Sequence, residues 1–345
     1  MSSKAVLAAI VAALSAAAVT VAAQAPGSAP RYTFETSDPA CQAATLVSTG
    51  GRMPANPRTL AIRWAGYANF ELVYNGQVIL LDAAFDRGSN FPPLGFKVPD
   101  VTRVDAILIG HGHGDHMSDA AAVAIRTKAI VVGAPLTAEK LLSQSVDPRQ
   151  VRSVTGRGGE VVELPGIRIE PVLGRHSVRE RPITDPFEHV LQSVTPPLSP
   201  AQKAEQRSIG QRGVNDPRLT AEGTITYLIT LDNGFRILFR DSAGEITEFE
   251  RAAVQRVGRI DVAIVAMANA YLNTLQAQKA MEYVRAYRPG VFMPAHHDAP
   301  YNDLWRTTEP VFQVMKDENP NLITVSKGYR EPVCFNTGSS AGSTR

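Results

Sequence analysis

The feature that most constrains this chain is an apolar segment that runs directly into a cluster of histidines and an aspartate. Val104–Ile109 has the composition of a short buried strand. His111, His113, Asp115 and His116 follow it, with one glycine between the strand and the first histidine. A strand of this kind presents such side chains at its carboxyl end, where the ligand sites of α/β folds usually lie.

The spacing within the cluster suits a bound metal ion. His111 and His113 are two residues apart and point to the same side of an extended backbone. Asp115 and His116 fall where an alanine-rich helix is expected to begin. The intervening glycines are expected to let the backbone bend and a metal approach closely. Nitrogen and oxygen ligands this close together suit borderline divalent ions, zinc first. The alternative, a solvated histidine-rich loop, agrees poorly with a position between a strand and a helix.

The N-terminus has the organisation of a secretory signal peptide. A basic residue, Lys4, precedes an apolar run from Ala5 to Ala23, and small residues follow it. We therefore expect residues 1–25 to be removed and the mature protein to be periplasmic or secreted, with no stable membrane anchor after cleavage. The alternative is an uncleaved anchor, but alanine dominates the run and makes it only weakly hydrophobic.

Cys41 and Cys334 lie near the two ends of the expected mature chain. An oxidising compartment allows a disulfide between them. Two unpaired thiols are the alternative, because the sequence does not show whether the two residues meet.

The charge of the chain gives little support to a polyanionic partner. The formal net charge is +2, and the basic residues are scattered rather than grouped. Such a balance produces no general attraction to nucleic acid. We expect a small-molecule substrate and no nucleic acid, and the sequence carries no signal for the oligomeric state.

The order of the predicted elements points to two similar halves. Asn75-Gly76 and Asn233-Gly234 each join two apolar segments, which is a strong hairpin signal. Strands and helices alternate after each hairpin. We therefore predict an α/β fold in which two mixed sheets pack together with helices on their outer faces, an αββα sandwich.

Composition divides the chain further. Residues 26–57 are predicted to form an irregular N-terminal arm, residues 58–335 the main domain and residues 336–345 a flexible tail. Residues 179–220 are rich in proline and mixed charges, with little periodicity. We interpret them as a lid-like insertion, because a long irregular loop inside a compact domain is usually functional or disordered.

Other strand ends carry further side chains that could bind metal. His176, Asp241 and the pair His296-His297 each follow a predicted strand. Taken alone, His176 could be a surface histidine, and Asp241 could cap the helix that follows it. One of His296 and His297 is expected to contact the metal, and the other to lie behind it or face the substrate.

The His-x-His-x-Asp-His motif, followed in order by the later histidine, aspartate and histidine, resembles the metallo-β-lactamase superfamily over about residues 58–328. Ile62–Phe70, Leu80–Asp82 and Pro294–His296 are similar to one branch of it. That branch includes the ascorbate-phosphate lactonase-like and N-acyl-phosphatidylethanolamine phospholipase D-like hydrolases. The resemblance implies the metallo-β-lactamase fold and a hydrolase domain over residues 58–335.

The resemblance also implies a ligand set for two metals. One metal would be held by His111, His113 and His176, the second by Asp115, His116 and His296, and both by a bridging Asp241. His296 is preferred over His297 because it fits the Pro-x-His pattern.

This chain departs from the branch at two places. Tyr67 stands where a histidine is common. Arg240 stands where a glycine is common, which would add bulk and positive charge beside the bridging aspartate. Together with His297, these two residues are candidates for contacts behind the ligands or with the substrate.

Such a site implies metal-assisted hydrolysis without a covalent protein intermediate. Two Zn²⁺ ions, or Mn²⁺ or Fe²⁺ in their place, would share a water and lower its pKa from about 15.7 toward about 7, giving a hydroxide nucleophile. Asp115 and Asp241 are the expected catalytic carboxylates. The fold does not choose among ester, lactone and phosphodiester bonds. The alternatives are a mononuclear iron enzyme that uses oxygen and a non-catalytic periplasmic protein that binds a metal or ligand.

Overall fold

Two β-sheets pack face to face in the computed structural model, which describes residues 32–177, 197–267, 274–298 and 308–338. The expected signal peptide lies outside the described residues. The strands, in chain order, are β1 (Thr33–Phe34), β2 (Thr59–Trp64), β3 (Phe70–Tyr74), β4 (Gln77–Leu81), β5 (Ala106–Leu108), β6 (Ile130–Gly133), β7 (Val151–Ser153), β8 (Val162–Leu164), β9 (Ile167–Gly174), β10 (Thr224–Leu231), β11 (Arg236–Arg240), β12 (Ile260–Ala266), β13 (Pro289–Ala295), β14 (Ile323–Thr324) and β15 (Pro332–Asn336).

Both sheets are mixed. The first has the order β1-β15-β2-β3-β4-β5-β6-β7 and the second β14-β13-β12-β11-β10-β9-β8. In each sheet an antiparallel hairpin, β3–β4 or β10–β11, leads into parallel strands. The two predicted hairpins are therefore present, and each opens the parallel part of its sheet.

Helices cover the outer faces of the two sheets. They are α1 (Gly114–Met117), α2 (Ala120–Thr127), α3 (Pro135–Ser143), α4 (Pro200–Gln211), α5 (Leu219–Glu222), α6 (Glu248–Val257), α7 (Thr274–Tyr287) and α8 (Glu309–Glu318). Residues of α2 and α3 pack on the first sheet, and residues of α6 to α8 pack on the second. The predicted αββα sandwich is confirmed. Within the described ranges, no helix has both the length and the apolar composition to cross a membrane.

The central strands are buried on both faces. In β5, Leu108 faces the core between the sheets, whereas Ile107 packs toward the helices. In β11, Phe239 faces that inner core and Leu238 packs toward α7 and α8. Burial on both faces explains why these strands read as continuous apolar runs rather than as alternating patterns.

The segment 179–220 is not irregular throughout, which corrects the sequence-based expectation. Residues 178–196 lie outside the described residues, but α4 and α5 occupy much of the remainder. The side chains of Ser199 and Gln202 cap the start of α4 reciprocally, and Pro200 occupies its first turn. Proline suits that position because its missing N–H has no partner in a helix anyway.

Both ends of the described chain are fastened to the first sheet. Strand β15, in a region not predicted to form a strand, pairs with β2, and β1 pairs with β15. Cys41 and Cys334 form a disulfide. The buried carboxylate of Glu71 accepts hydrogen bonds from the backbone N–H groups of Val47 and Ser48. The segment before β2 therefore packs on the sandwich through a covalent link and a buried carboxylate.

Candidate metal centre

The side chains predicted to bind metal meet at one edge of the sandwich, at the carboxyl ends of strands from both sheets. β5 leads to the cluster that begins at His111, and α1 carries Asp115 and His116. β9, β11 and β13 end directly before Arg175, Asp241 and His296, and His176 comes one residue after Arg175. These side chains line a cleft of about 310 Å³, together with Ser177, Ser242, Ala243 and Ala266.

His111, His113 and His176 form one group whose ligand atoms lie within 4.8 Å of one another. Nδ1 of His113 is 2.9 Å from Nε2 of His111 and 3.2 Å from Nε2 of His176. Nδ1 of His176 lies 2.7 Å from the carbonyl oxygen of Ser177, and in the neutral ring it donates to that oxygen. The other ring nitrogen, Nε2, then carries a lone pair that can bind a metal. Burial, together with the neighbouring His111, lowers the pKa of His113 to about 4. His113 is therefore neutral near pH 7, the form that binds a metal.

Asp115, His116 and His296 form a second group within the same distance limit of 4.8 Å. The Oδ2 atom of Asp115 is 3.1 Å from Nε2 of His296 and 3.7 Å from Nε2 of His116. Partial desolvation in the cleft opposes ionisation of Asp115, but the attraction of His116 and His296 holds its pKa well below the usual range. Burial lowers the pKa of His116. The group therefore offers an anionic oxygen and imidazole nitrogens to one point.

Asp241 lies between the two groups. Its Oδ2 atom is 2.5 Å from Nδ1 of His111 and 3.3 Å from Nδ1 of His116. Burial disfavours its charge, yet His111 and His116 keep its pKa at about 2. Its Oδ1 atom is buried and has no hydrogen-bond partner among the described residues. An ionised buried oxygen without a donor is costly, and a cation beside it would remove that cost. The donor set therefore fits metal binding.

Asp82, which was not predicted as a site residue, orients His116. Its Oδ2 atom lies 2.7 Å from Nδ1 of His116, and its Oδ1 atom accepts a hydrogen bond of 2.9 Å from the Gly110 N–H. A carboxylate behind a histidine ligand fixes the ring and directs the other nitrogen to the metal. The available signal was its position after β4, the strand that pairs in parallel with β5.

The structure brings His296, and not His297, into the cleft. The His297 ring stacks on Trp64 with 4.0 Å between ring centroids, and its Nε2 atom lies 3.5 Å from Oγ of Ser326. The backbone N–H of His296 donates to the carbonyl of Tyr67 over 2.7 Å, and their rings lie 5.4 Å apart. His297 therefore supports this side of the site from behind.

The expectation of a positive charge beside Asp241 is wrong. Strand alternation places Arg240 on the same face of β11 as Leu238, toward the outer helices. Its guanidinium pairs with Glu250 over 2.8 Å and contacts the Tyr283 hydroxyl over 3.0 Å. It also donates to the backbone carbonyls of Arg175, Ser242 and Glu245. Arg240 thus holds the loops that carry His176 and Asp241 without lining the cleft.

The glycines of the cluster make room for other parts of the protein, which changes their expected role. A Cβ atom on Gly110 would overlap the carboxylate of Asp241. A Cβ on Gly114 would lie 2.9 Å from the Cα atom of Gly210 in α4, and one on Gly112 would lie 2.5 Å from a methyl group of Val214. None of the three has the positive φ that favours glycine. They permit close approach of Asp241 and α4 rather than a bend in the backbone.

Comparison with known proteins identifies the family. Residues 77–297 match the model of the beta-lactamase superfamily domain. A metal-dependent hydrolase of Polynucleobacter asymbioticus is 24% identical over 273 residues, which cover 77% of this chain and 83% of the relative. A second, from Thermoplasma acidophilum, is 24% identical over 239 residues, covering 69% and 84% of the two chains.

A solved structure shows the same fold. The metallo hydrolase Igni18 of Ignicoccus hospitalis superposes with a TM-score of 0.54 at 17% sequence identity, over 80% of this chain and 98% of the other. The predicted resemblance to the superfamily is confirmed, whereas the branch within it stays a prediction. The chain belongs to the metallo-β-lactamase superfamily of metal-dependent hydrolases.

Proposed function

We propose that this protein is an exported hydrolase that uses two zinc ions to cleave an ester, lactone or phosphodiester bond of a small substrate. The observation that carries the proposal is the pair of donor groups at one edge of the sandwich, with the buried Asp241 between them. One zinc ion would be held by His111, His113 and His176 and the other by Asp115, His116 and His296, with Asp241 shared.

The donor set supports zinc and a hydrolytic reaction. Imidazole nitrogens and carboxylate oxygens are ligands that zinc accepts readily. When bound, the ions would polarise a scissile carbonyl or phosphoryl oxygen and lower the pKa of a water at the site. Asp115 and Asp241 supply negative charge that balances the cations. The Asp115 side chain is 40% exposed and faces the cleft, whereas Asp241 is buried.

The shape of the cleft supports a small substrate. Apart from the candidate metal ligands, the described residues that line the cleft are Ser177, Ser242, Ala243 and Ala266. These short side chains leave the volume of about 310 Å³ open above the metal-type residues. This volume lies near the lower end of the volumes found for ligand-binding pockets, which suits a small molecule.

The metal content and a panel of substrates test the proposal. Protein purified without chelators is expected to contain two zinc ions per chain by mass spectrometry. It is expected to hydrolyse at least one of a simple lactone, a β-lactam, a thioester and bis(p-nitrophenyl) phosphate. A chelator should abolish this activity and added zinc should restore it. One iron ion per chain would instead support the mononuclear iron enzyme, and full zinc with no hydrolysis would support a binding protein.

Export is the second part of the proposal. The apolar run from Ala5 to Ala23 and the disulfide between Cys41 and Cys334 support it, because disulfides persist in oxidising compartments. Fractionation of cells that produce the full chain should place the protein outside the cytoplasm, with an intact mass that lacks about the first 25 residues. A cytoplasmic protein of full mass would contradict export and leave the hydrolase proposal untouched.

A further inference from the structure

Two turns of the chain meet beside the metal centre, and each contains a residue in a backbone conformation that is rare outside glycine. Tyr67, between β2 and β3, has a φ of 46°, and the candidate ligand His296, after β13, has a φ of 54°. The backbone N–H of His296 donates to the carbonyl of Tyr67 over 2.7 Å. Such conformations persist where the surroundings determine them, and they concentrate at functional sites. The direction of the His296 side chain therefore depends on the contacts that hold these two turns together.

Asp298, two residues after His296, joins the same two turns through a second contact. Its two carboxylate oxygens lie 3.1 and 3.2 Å from the backbone nitrogen of Tyr67, whose N–H they accept. The carbonyl of Tyr67 also accepts the indole N–H of Trp64 over 2.8 Å. Tyr67 is thus bound through both its N–H and its carbonyl to the segment that carries the ligand.

Arg87 holds the carboxylate of Asp298 in place. Its guanidinium pairs with Asp298, and 2% of the Arg87 side chain and 0% of the Asp298 side chain are exposed. It also donates to the carbonyl of Pro92 over 2.6 Å and to the Tyr329 hydroxyl over 3.1 Å. That hydroxyl in turn donates to Asp298 over 2.9 Å. A Cβ on Gly66 would lie 2.6 Å from a guanidinium nitrogen of Arg87, so the turn that contains Gly66 packs directly on the pair.

A buried pair of this kind contributes little that apolar residues of similar size would not. Removal of two charges from water costs free energy that their mutual attraction often fails to return. Neither Arg87 nor Asp298 is among the described residues that line the cleft. The contacts of the pair converge instead on the turn that contains Tyr67, one hydrogen bond away from the backbone of His296.

We propose that Arg87 and Asp298 are positioning residues for the second metal ion. They hold the turn whose Tyr67 carbonyl fixes the backbone of His296, and they thereby direct the His296 imidazole toward Asp115. Nε2 of His296 lies 3.1 Å from Oδ2 of Asp115. This role rests on the proposed two-zinc site. Groups that orient a metal ligand from behind change metal affinity by about 10–100-fold.

Arg87→Met combined with Asp298→Ala tests this role, because it removes both charges together and leaves no buried charge unpaired. Titration of zinc in competition with a chromophoric chelator measures the affinity of each of the two ions. We expect one ion to bind about 10–100-fold more weakly and the other to stay near its wild-type affinity. In a His296→Ala background the same two substitutions should weaken zinc binding no further, because the residue through which they act is gone.

Arg63→Met combined with Glu71→Ala is the matched control. This pair is also buried, with 1% and 0% of its side chains exposed, and its carboxylate likewise accepts backbone N–H groups. Those groups belong to Val47 and Ser48, in the segment before β2, and not to the turn that contains Tyr67. The control should lower stability against urea and leave both zinc affinities unchanged.

Arg87→Met combined with Asp298→Asn is a milder second variant. It also removes both charges, but it keeps the size of residue 298 and one oxygen that can accept the Tyr67 N–H. A hydrogen bond to a neutral oxygen is roughly half as strong as one to a charged oxygen, so the same ion should bind about fivefold more weakly. This variant decides the question if the alanine variant does not fold.

The outcomes separate this role from the proposed function. Unchanged zinc affinities in the folded variants would overturn the role and leave the hydrolase proposal intact. Equal weakening of both ions, a loss that persists in the His296→Ala background or a similar loss in the control would also overturn it, because the pair would then act on the fold alone. A wild type that binds two zinc ions and hydrolyses nothing would reject only the hydrolase. If the wild type binds one ion, the two-zinc proposal fails, and the comparison with His296→Ala still decides the role.

Discussion

Asp241→Ala is expected to remove one or both metal ions and to lower kcat/KM by more than ~10³-fold, beyond the loss seen for a single oxyanion donor. The carboxylate lies within 3.3 Å of both His111 and His116, so both donor groups lose their shared anion. His113→Ala should have a comparable effect, because Nδ1 of His113 is the point on which His111 and His176 converge.

Zinc content and kcat/KM, measured on the same preparations, test whether Asp241 holds the metal ions. Asp232→Ala is the matched control, since Asp232 is an exposed aspartate paired with Arg58 at the far turn. It should retain two zinc ions and full activity. A fully active Asp241→Ala protein would remove the basis for a shared carboxylate.

Gly110→Ala tests the position of the same carboxylate from the opposite side. Its Cβ would occupy the space that the Asp241 carboxylate fills, so zinc binding should weaken although every donor residue is retained. Gly210→Ala is its control, because nothing lies within 4 Å of a Cβ added in that helix. This control should be neutral or slightly stabilising, since alanine has the higher helix propensity. Equal zinc affinity in both variants would contradict the packing role of Gly110.

The parts of the fold that were predicted depend on local signals. Asn75-Gly76 and Asn233-Gly234 specify hairpins through their backbone preferences, whatever the rest of the chain does. The metal-type side chains were found because each follows an apolar strand, and the carboxyl ends of parallel strands meet at one edge. The meeting of the groups at one edge follows from the second of these facts, whereas the order of the strands within the sheets does not.

The parts that were missed depend on tertiary contacts. Strand β11 is buried on both faces, so its sequence does not show that Arg240 points to the outer helices and not to the cleft. Asp82 follows an apolar strand, but its role behind His116 becomes clear only once β4 is known to pair with β5. In α4 the capping residues Ser199, Pro200 and Gln202 are a local signal that was overlooked among prolines and charges.

Arg240→Met is expected to destabilise the fold by about 3–5 kcal/mol, because it leaves the buried carboxylate of Glu250 without its cation. Both side chains are 0% exposed. Glu250 also accepts hydrogen bonds from Thr226 and Tyr287, which keep it in place after the substitution. Thermal and urea unfolding of the wild type and the variant measure the loss. Arg285→Met is the control: its partner Glu318 and Arg285 itself are exposed, so the change should stay within about 1 kcal/mol.

A second substitution separates the buried charge from the positioning of the site. Arg240→Met combined with Glu250→Gln removes both charges and should recover part of the lost stability. It does not restore the hydrogen bonds from Arg240 to the carbonyls of Arg175 and Ser242, which flank His176 and Asp241. Zinc affinity should therefore stay about 10–100-fold below the wild type, the usual effect of losing groups that orient ligands. If zinc affinity recovers together with stability, Arg240 acts on the fold alone and the two loops keep their positions without it.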